Sequence, residues 1–318
     1  MAGFTSQSDE HLIRSNLWSA QIKKVLLDEL MGTRYVRMLT DFPDGDTINI
    51  PSIGLAEVLD YVEGNAVQYT SMDTGNFTFS VDKYKSSATW ITDKMKQDSF
   101  YMSELVANFL PTQARALAVA METDILSKGN GGQTASSQNQ INGVSHRWVG
   151  SGTSNSIDLV DFANAKIALQ KANVPMVNLT AIVDPSVEYK ISTQTNVVNL
   201  LSPNPMWQKV VNDGSLTGMQ FKYNLYGFDV YVSNYLKTGI SETVNSIAVT
   251  NGAANMFFSS APDVLPIIGL IRQPPKVDSE YNKDYQREEY VTTSRWGFKL
   301  FRPENFCTCL TDTTAVSF

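Results

Sequence analysis

The stretch TINIPSIGLAEVLDYVEGNAVQYTSMDTGNFTFSVDKYKSSATWIT, residues 47–92, decides the fold of this chain. Short amphipathic runs at residues 47–50 and 77–81 predict two strands, and the Gly- and Asn-containing segments between them predict turns. Together they predict a long two-stranded ribbon. Because an isolated ribbon is at best marginally stable in water, its apolar side chains need another surface. We expect other copies of the same chain to supply much of that surface.

Composition and charge exclude several classes of protein. The chain has 318 residues, of which 42% are hydrophobic and 18% charged, and its formal net charge is −7. This length allows one elaborated domain or two, with ample core. General nucleic-acid binding requires a basic face, which an acidic chain does not favour. The polar N-terminus is not typical of a signal peptide, and the longest apolar run, residues 264–271, is too short to span a bilayer. We expect a soluble cytosolic chain.

Helical patterns flank the ribbon on both sides. Trp18, Ile22 and Leu26 recur at helical spacing, and Gly32 is placed to end that helix. Residues 99–128 predict a long helix with Leu117, Met121 and Ile125 on its apolar stripe. Pro111 removes a backbone hydrogen bond within it, so we expect a kink or a break there.

The second half of the chain predicts a compact α/β unit followed by strands. Asp158 is placed to cap a helix that carries Phe162, Ala165 and Leu169, and Asp184-Pro185 begins the next helix after a strand at 179–183. Gly297 within the later strands is typical of a bulge or a close backbone approach. The later strands are predicted at 227–233, 255–258, 288–296, 298–301 and 306–310.

Residues able to do chemistry are few and scattered. His11 and His146 have no second His or Cys close in sequence, so each is interpreted as a surface or interface histidine. Cys307 and Cys309 lack the spacing of a zinc knuckle and cannot form a disulfide framework, so we expect both to pack on one strand face. The charged run at 278–289 predicts a solvated loop with local ion pairs, with an intersubunit contact as the alternative. No catalytic residue, metal or cofactor is expected.

The order of these segments over nearly the whole chain resembles the major capsid proteins of tailed double-stranded-DNA bacteriophages. This family has the Hong Kong 97-type capsid fold, and the sequence is most similar to the coat proteins of short-tailed phages. The stretches that carry the resemblance are GDTINIP (45–51), FSVD (79–82), ETD (122–124), IDLVDF (157–162), AIVDP (181–185), GFDVYVSN (227–234) and WGFKLFRP (296–303).

The resemblance implies an α+β fold of four parts. They are an N-terminal arm at 1–46, an extended β-hairpin loop at 47–92, a peripheral domain at 93–180 and 262–318 with a spine helix at 99–128, and an axial domain at 181–261. Five residues are the candidate intersubunit contacts, because the arm and the ribbon cannot bury them alone. They are Trp18, Ile22, Phe77, Phe79 and Val81.

The resemblance also implies a structural role. Such subunits self-assemble into hexamers and pentamers of an icosahedral capsid that encloses double-stranded DNA without sequence-specific binding. The implied partners are a scaffolding protein, a portal protein at one vertex and a cement or decoration protein, with no membrane. The implied location is the virion capsid, assembled in the bacterial host cytoplasm.

Three alternatives remain open at the level of sequence. An encapsulin-like nanocompartment shell has the same fold but encloses enzymes. A tail or decoration protein would be another virion component. A carboxylate hydrolase would require a deep pocket with perturbed acids.

Overall fold

The computed structural model describes residues 31–40, 47–53, 60, 63, 74–98, 102–130, 138–193 and 221–315. Its helices are α1 (Asp93–Asp98), α2 (Met102–Ser127), α3 (Leu159–Lys171) and α4 (Pro185–Thr193). Its strands are β1 (Val36–Met38), β2 (Thr47–Ile53), β3 (Thr74–Ser80), β4 (Lys83–Thr92), β5 (Gln140–Ile141), β6 (Val144–Ser145), β7 (Arg147–Val149), β8 (Leu179–Val183), β9 (Phe221–Leu225), β10 (Phe228–Val232), β11 (Ile240–Val244), β12 (Ile247–Ser259), β13 (Ile267–Asn282), β14 (Arg287–Leu300) and β15 (Cys307–Asp312).

One sheet has four strands in the order β1-β13-β14-β4, with β1 parallel to β13 and the other pairs antiparallel. Alternate residues of β14 are buried on one face, including Thr292, Ser294 and Trp296, as the alternation in the sequence predicted. Val277 of β13 is buried in the same cluster as Trp296. This face carries the core that the long helix covers.

The long helix α2 is the spine of that layer. Leu117, Met121 and Ile125 are buried in one cluster with Val36 and Trp296, which confirms the predicted apolar stripe. The helix is not broken at Pro111, because helical structure continues through this residue to Ser127. Its 26 residues correspond to a length of about 39 Å at 1.5 Å per residue.

The other large sheet has seven strands in the order β7-β15-β12-β8-β10-β9, with β11 on β12. Helix α3 begins with the predicted cap: an Asp158 side-chain oxygen accepts a hydrogen bond from the Leu159 amide, and Asp161 accepts one from the Asp158 amide. Phe162 and Leu169 of this helix are fully buried against the sheet. The compact α/β unit is therefore confirmed.

The pairing of β4 and β15 corrects two segment boundaries predicted from the sequence, those of the ribbon and of the peripheral domain. Strand β4 lies in the four-stranded sheet, so the paired ribbon consists of β2 and β3 and does not extend to residue 92. Strand β15, assigned to the peripheral domain with residues 262–318, pairs with β12 of the seven-stranded sheet. Alternation of polar and apolar residues identifies a strand but does not say which sheet it joins.

Regular structure occurs in the polar segment after the spine helix and in the charged run for which the sequence predicts a loop. The polar segment after the spine helix includes the β5–β6 hairpin and β7, which pairs with β15. The charged run at 278–289 is the end of β13, a tight turn and the start of β14. Its local ion pairs are present, with Arg287 Nε 2.7 Å from a Glu289 carboxylate oxygen.

Candidate assembly surfaces

The base of the ribbon is fastened to the four-stranded sheet of its own chain. Strand β2 pairs with β3 in antiparallel register, which places Ile48 opposite Phe79 and Ile50 opposite Phe77. Phe79 is fully buried and Val81 is 4% exposed, in a cluster with Ile268 of β13. The argument that the ribbon cannot bury Phe79 and Val81 alone is therefore wrong.

Phe77 has a different environment, because it is only partly buried. Its ring packs edge-to-face on Phe301 with centroids 5.0 Å apart, and the Lys299 ammonium lies 4.7 Å from its centroid. Lys299 Nζ also donates a hydrogen bond of 2.7 Å to the Thr78 carbonyl. Of the three predicted ribbon contacts, Phe77 alone keeps exposed surface for a neighbouring subunit.

Gly297 allows the ribbon to approach the sheet closely. A Cβ at this position would lie 2.7 Å from the Ser80 carbonyl oxygen and 2.9 Å from Val81 Cα. Both of these are backbone atoms at the end of the ribbon, so they cannot move aside without shifting the chain. The close backbone approach predicted for this glycine is confirmed, and β14 continues through it opposite Leu270.

The predicted arm contacts Trp18 and Ile22 lie outside the described residues. What the structure describes is the base of the arm, a 3₁₀ turn (Gly32–Tyr35) followed by β1. The Gly32 amide donates to both carboxylate oxygens of Glu122 on the spine helix, at 2.9 and 3.1 Å. Burial raises the pKa of Glu122 to about 7, and the hydrogen bond from Gly32 lowers it only in part.

Polar side chains also join the spine helix to the sheet. Trp296 Nε1 donates a 3.1 Å hydrogen bond to Asp124, whose other oxygen lies 3.2 Å from Lys128 Nζ. The side chain of Gln113 donates to Thr89 of β4 and accepts from Thr292 of β14. Because each buried polar group has a partner, these contacts fix the rotation and height of the helix on the sheet.

The opposite face of the four-stranded sheet carries large exposed side chains. On β4, Tyr84 is 61% exposed and Trp90 57%, and Tyr285, in the turn between β13 and β14, is 66% exposed. The Arg287 guanidinium carbon lies 5.2 Å from the Trp90 ring centroid and 4.6 Å from that of Tyr285. Sequence reasoning missed this surface, although Tyr84 and Trp90 differ by an even number of residues and so share one face of the strand.

The remaining candidates from the sequence are interior groups. His146 is fully buried, so its interpretation as a surface or interface residue is wrong, and burial lowers the pKa of its imidazole. The neighbouring Arg147 is 1% exposed and pairs with Glu242 of β11. Cys307 and Cys309 are both buried and both lie in the core cluster of the seven-stranded sheet, as predicted. These groups hold the fold and are not available to a ligand. His11 lies outside the described residues.

Within the described residues, no group of three or more His, Cys, Asp or Glu side chains is arranged to hold a metal ion. No helix among those residues is long and apolar enough to cross a membrane.

The sequence matches the family described as phage capsid protein over residues 76–308. This match covers most of the chain, including the spine helix and most strands of both large sheets. The chain belongs to the phage capsid protein family. A search of curated proteins finds no match.

Solved phage capsid structures have the same fold as this member of the phage capsid family. A structure from Mycobacterium phage Che8 has 17% sequence identity and a TM-score of 0.58, and the alignment covers 85% of this chain and 86% of that one. The capsid of cyanophage P-SCSP1u has 15% identity and a TM-score of 0.60, with coverages of 87% and 85%. The capsid of a native GTA particle has 9% identity and a TM-score of 0.60, with coverages of 88% and 89%.

Family and fold together confirm the resemblance to the major capsid proteins of tailed phages. The fold is α+β, as expected, and the protein is a structural protein of an icosahedral phage capsid. These matches do not favour the encapsulin-like alternative.

Proposed function

We propose that the chain is the repeating subunit of the capsid wall and assembles into hexamers and pentamers around double-stranded DNA. The observation that carries the proposal is the ribbon fastened at its base, together with the family match. Strands β2 and β3 stay paired out to Ile53 and Thr74, and residues 54–73 continue beyond the pair. The paired stem, fastened to the four-stranded sheet, holds both ends of this segment in place, and we propose that the segment contacts a neighbouring subunit.

The two sheets have separate roles in the proposal. The four-stranded sheet with the spine helix α2 forms the peripheral domain, and the seven-stranded sheet with α3 and α4 forms the axial domain. Compared with the boundaries predicted from sequence, β7, α3 and β15 move from the peripheral to the axial domain. Strand β15 follows β13 and β14 of the peripheral domain and pairs with β12 of the axial domain. This return of the chain connects the two domains.

The exposed surface of each candidate side chain indicates whether it can contact a neighbouring subunit. Phe77 on the ribbon is proposed as a contact because part of its ring remains exposed beside Lys299. Trp18 and Ile22 in the arm stay predicted contacts. Phe79 and Val81 are not proposed, since side chains with almost no exposed surface cannot be buried further by a neighbour.

The charge of the chain suits a wall that encloses DNA without binding it by sequence. At a net charge of −7 the subunit as a whole repels the phosphate backbone. The implied partners are a scaffolding protein during assembly, a portal protein at one vertex and a cement or decoration protein. The proposed setting is assembly in the bacterial host cytoplasm and residence in the virion.

The test is expression of the full chain alone and together with the scaffolding gene of the same phage, followed by negative-stain electron microscopy. Closed particles of uniform diameter are expected with the scaffold. Monomers that never form particles under either condition would contradict the proposal. Mass spectrometry of purified virions measures copy number, which separates a wall subunit from a tail or decoration protein.

A further inference from the structure

Within the part of the chain that the structure describes, strand β4 has one edge without a neighbouring strand. On one side its ten residues pair with β14 without interruption, from Thr92 opposite Arg287 to Lys83 opposite Trp296. On the other side no strand of the described chain pairs with it. An edge strand presents a row of unpaired N–H and C=O groups, and proteins usually block such a row with lysines or other charged side chains, a proline, a bulge or a covering segment. Strand β4 contains neither a proline nor a shift in register, and its two lysines, Lys83 and Lys85, both lie at one end of the strand.

The side chains on the exposed face of β4 are those typical of interfaces. Tyr84 and Trp90 are each more than half exposed, and Arg287 packs over the Trp90 ring. Trp, Tyr and Arg are the residue types that most often dominate binding energy in protein interfaces. Between the two aromatic residues, Ser86 and Ala88 on the same face are small and exposed.

The order of these residues makes β4 complementary to itself. If two copies pair antiparallel about Ser87, Tyr84 lies opposite Trp90 of the partner subunit and Ser86 lies opposite the partner's Ala88. By symmetry each of these contacts occurs twice. Directly opposed side chains in an antiparallel pair are about 4.5–5.5 Å apart at Cβ, and aromatic pairs there are stabilising.

The neighbouring registers do not place Tyr84 opposite Trp90 of the partner subunit. A shift of the partner by two residues in either direction places Trp90 opposite Ser86 or opposite Asp82, so no aromatic pair forms. In the register centred on Ser87, Lys83 lies opposite the partner's Ile91 and Lys85 opposite the partner's Thr89. The lysines therefore do not oppose each other, and like charges are not brought together.

From this edge and its register we infer that β4 pairs with β4 of a second copy about a two-fold axis at Ser87. The inference rests on the proposed function, because the second copy belongs to a neighbouring hexamer or pentamer of the shell. Rings of subunits also need contacts that join one ring to the next, and a self-complementary patch forms such a contact about a two-fold axis. The backbone hydrogen bonds of the added strand provide affinity, and the aromatic pairs fix the register.

A charge-exchange experiment tests the register. One variant carries Ser86→Lys with Ala88→Lys, and its counterpart carries Ser86→Glu with Ala88→Glu. Both positions are exposed, so the subunit should fold in each case. Alone, each variant places like charges opposite each other twice per contact, and assembly should require an about tenfold higher subunit concentration. Co-expression of the two variants should restore wild-type assembly, because every β4 then finds a partner of opposite charge.

A crosslinking experiment tests the contact itself in particles. Ser87→Cys places two thiols opposite each other across the axis, at a separation that a disulfide can bridge, about 4.5–5.5 Å between Cα atoms. Mild oxidation should give covalent dimers from particles of this variant. Ser241→Cys, an exposed serine on β11, is the matched control and should give far fewer.

The outcomes separate this inference from the proposed function. Particles that form normally but show no more dimer for Ser87→Cys than for Ser241→Cys would overturn the β4 contact and leave the shell function intact. Full assembly of either charged variant alone would also overturn it. Failure of the wild-type chain to form particles would overturn the proposed function and this inference with it.

Discussion

Glu122 of the spine helix holds the amide of Gly32 with both carboxylate oxygens, although the two residues are 90 positions apart. Glu122 is 3% exposed, and a Cβ on Gly32 would come within 2.9 Å of its Oε2. The base of the N-terminal arm is thus fastened to the longest helix by a buried carboxyl group. Its pKa of about 7, raised by burial, makes this contact sensitive to pH near neutrality.

Glu122→Gln should remove a pH-dependent loss of stability. With a pKa of about 7 in the folded state against an ordinary value of 4.5, the folded state binds more protons between these values. The contribution of this group is therefore fully present below pH 4.5 and is lost as the pH rises through 7. Relative to wild type, the variant should gain about 2–3 kcal/mol in unfolding free energy at pH 8. Urea denaturation of the unassembled subunit at pH 5 and pH 8 measures the difference.

Glu280→Gln is the matched control, since Glu280 is exposed on β13. It should leave the difference in unfolding free energy between pH 5 and pH 8 unchanged. If Glu122→Gln shows the same pH dependence as wild type, Glu122 is not the titrating group.

Phe79→Ala should destabilise the isolated subunit. Its ring is fully buried between the ribbon base and β13, so removal leaves a cavity, and the cost should be about 3–5 kcal/mol. Phe77→Ala, at the partly exposed position next to it, should cost less in subunit stability and more in assembly. Chemical denaturation and particle yield measured on both variants distinguish the two roles. Equal subunit stability for Phe79→Ala and wild type would contradict the packing described for the ribbon base.

Gly297→Ala should lower the melting temperature of the subunit. The added methyl group meets the Ser80 carbonyl oxygen and Val81 Cα, which are backbone atoms, so the ribbon must shift away from the sheet at a cost of about 1–3 kcal/mol. Differential scanning calorimetry measures the change. An unchanged melting temperature would show that the ribbon does not approach β14 as closely as described.

Local patterns in the sequence predicted the elements well, and long-range pairing decided where they went. The cap at Asp158 and the strand at 179–183 depend on neighbouring residues and occur where predicted. The placement of β15 in the seven-stranded sheet depends on its pairing with β12, about fifty residues earlier in the chain, which no local pattern encodes. Polar and apolar residues alternate clearly in the ribbon. The burial of Phe79 against the four-stranded sheet, however, depends on the close approach of the ribbon backbone to Gly297.

The contact between Glu122 and Gly32 and the edge position of β4 were harder to predict, for a related reason. Glu122 lies at helical spacing from Ala118 and Ile125, so the sequence did show a carboxylate on an apolar stripe. Its partner is a backbone amide, however, and a backbone amide leaves no signature in sequence. Likewise the sequence of β4 shows which residues share a face, whereas which face is exposed and the position of β4 at the edge of the sheet follow only from the fold.

The two cysteines should resist thiol reagents in the folded subunit. Both are buried, and burial raises the pKa of the Cys307 thiol and of the Cys309 thiol well above the ordinary range. A thiol-reactive dye at pH 8 should label neither residue in native protein and both in denaturant. Rapid labelling of the native subunit would contradict the buried position of β15 in the seven-stranded sheet.

Removal of residues 56–72, with a short Gly-Ser linker in their place, should separate folding from assembly. The deletion leaves all of β2 and β3 in place, so Phe79 stays buried and the melting temperature should remain close to that of wild type. Because most of the segment that connects β2 to β3 is gone, closed particles should not form even with the scaffolding protein. Electron microscopy and calorimetry on the same preparation measure both properties. A matched variant that replaces only residues 65–68 with Gly-Ser-Gly-Ser keeps the length of the segment and should still assemble. Normal shells from the full deletion would show that the ribbon is not what joins subunits, whereas loss of folding would show that residues 56–72 belong to the core.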